Sequence, residues 1–220
     1  MRLGVAFGLA LCGLFVLRAA APVRAEYYNE PHELDVTGPY IQAASGMVFP
    51  EALAGFSRTG VISYNSERTD ESADYLLDVP GKKIGISVYV YPVPADIGVA
   101  LANGLPQDDL IAALYMLSEQ LFADEEQTIV ELHSGADVLE EGETSHDEPG
   151  ISYPGNVATF RYDEDFFGRV QPVRSQLYLF PLVGRSWMVK YRVTYPDGTD
   201  GASEADAFIH ALRWTIRGLK

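Results

Sequence analysis

The sequence predicts an α+β fold: one antiparallel β-sheet of about six to seven strands, with helices packed on its faces. Three observations carry it. Apolar residues alternate with period two at Ile84, Ile86, Val88 and Val90, and again at Trp187, Val189, Tyr191 and Val193, as half-buried strands require. Between them Leu110, Ile111, Leu114, Leu117, Leu121 and Phe122 recur at helical spacing, which makes one apolar stripe on a helix. A second such stripe, Ala205, Phe208, Ile209, Leu212 and Ile216, ends the chain.

Residues 1–25 read as a secretory signal peptide. Met1-Arg2 is a basic start, Leu3 to Leu17 is uncharged and almost wholly apolar, and small residues follow at Ala19-Ala20-Ala21 and Val23-Arg24-Ala25, the order of an export signal. Cleavage is expected after Ala25, because Pro22 would follow the other site. The apolar run is shorter than the roughly 20 residues that span a bilayer, so no stable membrane anchor is expected after cleavage. Cys12 follows Leu11, where a lipidation site would have a small residue. The protein is therefore expected to be periplasmic or secreted.

The remaining elements follow in order. Residues 26–45 are polar, with Pro31, Gly38 and Pro39, and read as a flexible leader. Residues 46–220 read as a single domain. It opens at Met47-Val48-Phe49-Pro50. Val61–Tyr64 and Tyr75–Val79 are expected strands, split by the polar turn Asn65–Asp70. In the strand Ile84–Tyr91, Gly85, Ser87, Tyr89 and Tyr91 form the second face, and Pro92 and Pro94 end it. Asp108 and Asp109 suit the positive end of the helix that follows. Ile129 and Leu132 extend its stripe towards a stop at Gly135, with Asp124-Glu125-Glu126 as a point of kinking or early termination. Ala136–Glu143 reads as an acid-guarded edge strand, Ser145–Pro154 as a loop, and Asn156–Asp163 as a strand. Arg174–Phe180 and Ser186–Thr194 read as a hairpin around Val183-Gly184, with Met188, Lys190, Arg192 and Thr194 opposite the core-facing set. Ser203 and Asp206 have the spacing of a capping box for the last helix.

Composition narrows the function. The chain of 220 residues carries 16 basic and 31 acidic side chains, a net charge of −15. Loss of residues 1–25 removes Arg2, Arg18 and Arg24, which leaves 13 against 31, a net of −18. Such a surface repels nucleic acid, so no nucleic-acid partner is expected. The only cysteine, Cys12, leaves with the signal, which excludes disulfide scaffolds and thiol chemistry. Residues 26–149 hold 4 basic and 24 acidic residues, and residues 150–220 hold 9 and 7. Two readings stand: a basic half that faces the acidic half inside one domain, or an anion-binding face in the second half.

The opening Phe49-Pro50 with Gly55-Phe56, the strand Ile84–Tyr91, the helix from Asp108, and the close Trp187–Thr194 plus Ala202–Ile216 together resemble the Mog1/PsbP-like family. The resemblance spans roughly residues 46–218 and is one of element order. It implies an α-β-α sandwich and an accessory or assembly role without catalysis. The segment Phe49 to Arg58 is also similar to openings in uncharacterised bacterial exported proteins.

No catalytic residues are assigned and no cofactor is expected. Gly-x-Ser-x-Gly is absent. His133-Ser134 and Ser145-His146-Asp147 place triad residue types side by side, whereas a triad needs them to converge from separate elements. His32, His133, His146 and His210 lack zinc spacing, so no metal site is assigned. His32 lies among Glu30, Glu33 and Asp35 in the leader. Asp197 to Asp200 and Glu140 to Asp147 lack the alternation of an EF-hand. Two groups remain. Phe166 and Phe167, at the tip of an acidic turn, either insert into a partner's groove or fold back on the sheet. Tyr89, Tyr91, Lys190 and Arg192 share one sheet face and form either a wet concavity for an anionic or glycan ligand or a face covered by a helix and paired with acids. The expected function is a non-enzymatic accessory or binding protein of the bacterial envelope, with an envelope protein or such a ligand as partner. The alternative is an acid-rich secreted hydrolase of a small-molecule or glycan substrate, which would need His133, His146 or paired carboxylates to converge in a pocket.

Overall fold

A computed structural model describes residues 27–94, 107–133 and 135–216, without the side chains of Asn29 and residues 107–115. The expected signal peptide with Ala25, and the side chains of Leu110, Ile111 and Leu114, lie outside the described residues.

The chain is β-dominated. Its strands are β1 (Tyr27–Glu33), β2 (Tyr40–Ile41), β3 (Val48–Phe49), β4 (Ala52–Leu53), β5 (Phe56–Asn65), β6 (Glu71–Val79), β7 (Lys82–Pro92), β8 (Asp137–Glu148), β9 (Ile151–Asp165), β10 (Val170–Val183) and β11 (Trp187–Pro196). Two helices accompany them among the described residues, α1 (Gln107–Leu132) and α2 (Ala202–Ala211). Eight strands run in the order β1-β5-β6-β7-β11-β10-β9-β8, and β4 adds to β5 to make a nine-stranded antiparallel sheet. The expectation of an α+β sandwich on six to seven strands is thereby overturned: eleven strands against two helices among the described residues make a β-rich fold.

The extra strands come from stretches whose polarity reads as loop. The expected loop Ser145–Pro154 is instead the end of β8, a tight turn at Pro149-Gly150 and the start of β9, paired from Asp137↔Arg161 to Glu148↔Ile151. Gly150 takes φ 86° there, a conformation open to glycine at little cost. The expected flexible leader is tied down as well. β1 pairs with β5, and β2 pairs with β3. The buried Gln42 donates through Nε2 to the carbonyls of Thr69 and Val90, each at 3.1 Å. Tyr40 Oη donates to Glu71 Oε2 at 2.6 Å.

α1 runs through Asp124-Glu125-Glu126 without a break. Gln120 bonds Asp124 and Gln127 bonds Glu131 along it, the i,i+4 pairing that supports an acidic helix. The expected capping box on α2 is not made: Gly201 is the N-cap without a side-chain hydrogen bond, and Ser203 Oγ turns to Glu204. A Cβ on Gly201 would lie 2.7 Å from the Tyr195 ring, so close packing fixes glycine at that position.

Strand alternation divides the core in two. One face of the sheet gathers Phe56, Tyr75, Ile86, Val189, Tyr191 and Phe208 of α2. Phe208 meets the Tyr75 and Phe56 rings edge-on at 4.7 and 5.1 Å, and complete burial of such a side chain contributes about 1.5–3 kcal/mol. The chain beyond α2 lays Trp214 on the same face, where Nε1 donates to Tyr191 Oη at 2.8 Å. The other face gathers Phe160, Leu177, Leu179 and Met188 under Phe122 and Ile129 of α1. α1 packs chiefly on β9 and β10, so it covers the β9–β10 half of that face and reaches β11 and β7 through Glu125. The β5-β6-β7-β11 half carries the site.

Candidate functional site

Antiparallel register builds this half in rows. Asp74 on β6 lies opposite Ser87 on β7, which lies opposite Arg192 on β11. The next row sets Leu76, Gly85 and Thr194 side by side, and the row on the other flank sets Ser72, Tyr89 and Lys190. Side chains of one row point the same way, so short polar groups and a glycine form a floor. The turn after β9 supplies a wall. Phe166 folds back over Gly85, where an added Cβ would lie 3.9 Å from its ring. The result is an open cavity of about 600 Å³, within the size range of small-molecule sites.

The two phenylalanines divide the roles that the sequence left open. Phe166 is 8% exposed and belongs to the core under α1, whereas Phe167 is 57% exposed. Their rings meet at right angles, 4.8 Å apart. Phe167 has φ 54° and Gly168 φ 80°, so the turn is bent by two successive left-handed residues, one of them not glycine. Lys83 Nζ sits 4.5 Å from the centre of the Phe167 ring, a cation–π contact that steadies the exposed ring.

Lys190 and Arg192 also part company. Lys190 Nζ contacts both oxygens of Glu125 on α1 at 2.9 Å and lies over the Tyr89 and Tyr91 rings at 4.6 and 5.7 Å. Tyr91 Oη donates to the same carboxylate at 3.2 Å. Burial raises the Tyr91 phenol, and the Glu125 charge adds to the rise. Lys190, Tyr91 and Glu125 thus form a satisfied ion-pair cluster that fastens the helix to the sheet. Tyr89 lines the cavity, and burial raises its phenol too.

Arg192 has no carboxylate within 4.0 Å among the described residues. Its Nη2 donates to Tyr162 Oη at 2.9 Å and to Ser175 Oγ at 3.0 Å. Its Nε is buried without a partner, and the side chain lines the cavity. Across the floor, Asp74 Oδ1 accepts from Ser87 Oγ at 2.6 Å. Burial raises the Asp74 carboxyl, the Ser87 bond opposes that, and the Glu33 charge adds to it. The cavity therefore sets a lone guanidinium and a costly buried carboxylate on two sides of one serine.

The histidines do not converge. His133 stacks on Tyr162 at 3.9 Å, on the α1 side. His146 is fully buried on the opposite face, stacked on Trp214 at 3.8 Å. Ser145 and Asp147 flank it along β8 and are exposed, because neighbours in a strand point to opposite faces. Asp197 is bound by Arg161 and Arg174 at 2.9 Å each, so its carboxylate neutralises arginines. Among the described residues, no group of three or more His, Cys, Asp or Glu is placed to hold a metal ion, and no helix is long and apolar enough to cross a membrane.

Asp74, Ser87 and Thr194 are the site residues that sequence reasoning did not single out. Their signal was present as polar residues at period two, opposite the Tyr75, Ile86 and Val193 set. Compared with models of known protein families and with curated protein sequences, the chain finds no match.

Proposed function

We propose that this chain is an exported, non-enzymatic binding protein of the bacterial envelope, and that the cavity between the Phe166-Phe167 turn and strands β6, β7 and β11 is its ligand site. The observation that carries this reading is Arg192: a guanidinium that lines a cavity, braced by the neutral hydroxyls of Tyr162 and Ser175, without a carboxylate partner among the described residues. A hydrogen bond from an anionic ligand to this guanidinium would contribute roughly 1.5–3 kcal/mol. Guanidinium favours planar anions such as carboxylates, so a small ligand with an anionic group, or an acidic glycan, suits the site. The net negative charge argues against nucleic acid.

A thermal-shift panel of neutral glycans, sugar acids, dicarboxylates, amino acids and short peptides tests the reading on the purified exported chain. At least one compound is expected to raise Tm in the wild type and to lose that effect in Arg192→Gln. A panel without any stabiliser, or a stabiliser equally effective on Arg192→Gln, overturns it.

A further inference from the structure

The charges of the cavity narrow its ligand further. Among the described residues Arg192 is the one cation that lines it, against Asp74, Glu164 and Asp165. A ligand that carries only negative charge gains at Arg192 and is repelled by three carboxylates. A ligand that carries only positive charge is repelled by Arg192. The lining is complementary to a molecule with both charges, set apart from one another.

The spacing of those charges sets the scale. Asp74 and Arg192 stand on strands two apart, with Ser87 between them. Neighbouring strands are about 4.8 Å apart, so the two backbones are separated by roughly 10 Å. The Arg192 guanidinium does not close that gap: it leans the other way, to Ser175 on β10 and Tyr162 on β9, and no carboxylate oxygen of Asp74 comes within ion-pair distance of it. An extended dipeptide, with α-carbons about 3.8 Å apart and a hydrogen bond of about 3 Å at each charged end, bridges a gap on the order of 10 Å. Asp74 has acceptor capacity to spare: an ionised carboxylate offers about four lone-pair sites, and Ser87 is the one side chain that donates to it. Phe167 offers an exposed ring at the rim, and Phe166 presents the edge of the wall.

We propose that the ligand is a short zwitterionic peptide with free ends, its carboxylate held by Arg192, its ammonium group by Asp74, and an apolar side chain against Phe166 and Phe167. This rests on the cavity being the ligand site. It adds the ligand's class and the pairing of its ends.

Calorimetric titration of the purified exported chain with the dipeptide Gly-Phe, N-acetyl-Gly-Phe, Gly-Phe amide and glucuronate tests it. Gly-Phe is expected to bind. Deletion of either charge from the ligand is expected to weaken binding about tenfold or more, the scale of a hydrogen bond to a charged group. Asp74→Asn, which keeps the shape of the side chain, should weaken Gly-Phe by the same factor and leave N-acetyl-Gly-Phe unchanged. Arg192→Gln should weaken Gly-Phe and leave Gly-Phe amide unchanged, with both variants first shown to melt cooperatively. If N-acetyl-Gly-Phe or glucuronate binds as tightly as Gly-Phe, the zwitterion assignment is overturned and the cavity reading stands. If Gly-Phe gives no heat at concentrations on the order of 1 mM, the peptide assignment is overturned, and the thermal-shift panel decides the cavity separately.

Discussion

Two ionisable side chains, Glu126 half-buried and His146 fully buried, make the stability of this protein depend on pH in opposite senses. Glu126 on α1 has a buried Oε1 without a partner. Burial raises its carboxyl to about 7, and Glu141 and Glu119 add to the rise. A carboxyl whose folded value lies above its unfolded one favours the folded state when protonated. That contribution is fully present below about 4.5 and is lost as pH rises towards 7. Glu126→Gln fixes the neutral form, so its Tm is expected to exceed the wild-type value at pH 8 and to match it at pH 4. Equal offsets at both pH values would show that the carboxylate charge is not responsible. His146 works in reverse. Burial lowers its imidazole, the Glu148 hydrogen bond partly opposes this, and His210 and Arg213 reinforce it. Its stabilisation is therefore present above about 6.5 and is lost as pH falls through the lower folded value. Between pH 7 and 5, wild-type Tm should fall relative to that of His146→Phe, which keeps an aromatic ring against Trp214 and cannot be protonated. A constant difference over that range would contradict this account.

Among the elements, the β8–β9 hairpin is the one whose strength depends most on an absent side chain. A Cβ on Gly155 would lie 2.5 Å from the Leu179 carbonyl oxygen and from a Phe180 ring carbon, both held in the middle of β10. Gly155→Ala is expected to destabilise by about 1–3 kcal/mol, the cost of overpacking. Gly142 on the paired strand has nothing within 4 Å of the same position, so Gly142→Ala should be neutral or stabilising, by up to about 1 kcal/mol. Urea unfolding of both variants checks the contrast, and equal effects would refute it. This hairpin is also where the sequence was least legible. Gly142, Gly150, Gly155, Pro149 and Pro154 are loop signals to any local reading, yet long-range pairing with β10 holds the stretch extended. The N-terminal strands escaped notice for a related reason: β1 gains its order from β5, and Gln42 from carbonyls far along the chain. By contrast β7 and β11 were legible in full, because both sheet faces impose their alternation on the residues themselves. The same alternation placed Lys190 and Arg192 on one face. What it could not convey was that α1 brings Glu125 to the first and leaves the second without an acid. That difference lies in where a helix stops along a sheet.

At the scale of the whole molecule, charge decides how the halves meet. Several basic side chains are matched to distant acids: Lys190 to Glu125, Arg213 to Glu148, and Lys82 to Glu204. Arg161 and Arg174 share Asp197. Lys190 and Arg213 carry C-terminal cations to acids of the N-terminal half, Lys82 pairs the other way, and Asp197 lies in the same half as its two arginines; three acids in the middle of β8 have no ion pair among the described residues. Glu140, Glu141 and Glu143 are exposed there, in a strand paired on one side by β9. Their charge guards the edge against pairing with another chain, at the cost of self-repulsion in a molecule with a net charge of −15. Exposed pairs contribute about 0–1 kcal/mol each, too little to offset a surplus of this size, so repulsion should dominate the response to salt. The screening length shrinks from about 30 Å at 0.01 M to about 8 Å at 0.15 M, a fall from the span of the domain to that of neighbouring side chains. Tm is therefore expected to rise over that interval. Glu140→Lys with Glu143→Lys keeps the edge charged while it replaces two negative charges by two positive ones. This variant should melt above the wild type at low salt, and the gap should close as salt is added. A Tm that falls with salt in the wild type, or a gap that does not narrow, would mean that ion pairs and not net repulsion govern the electrostatics of the folded state.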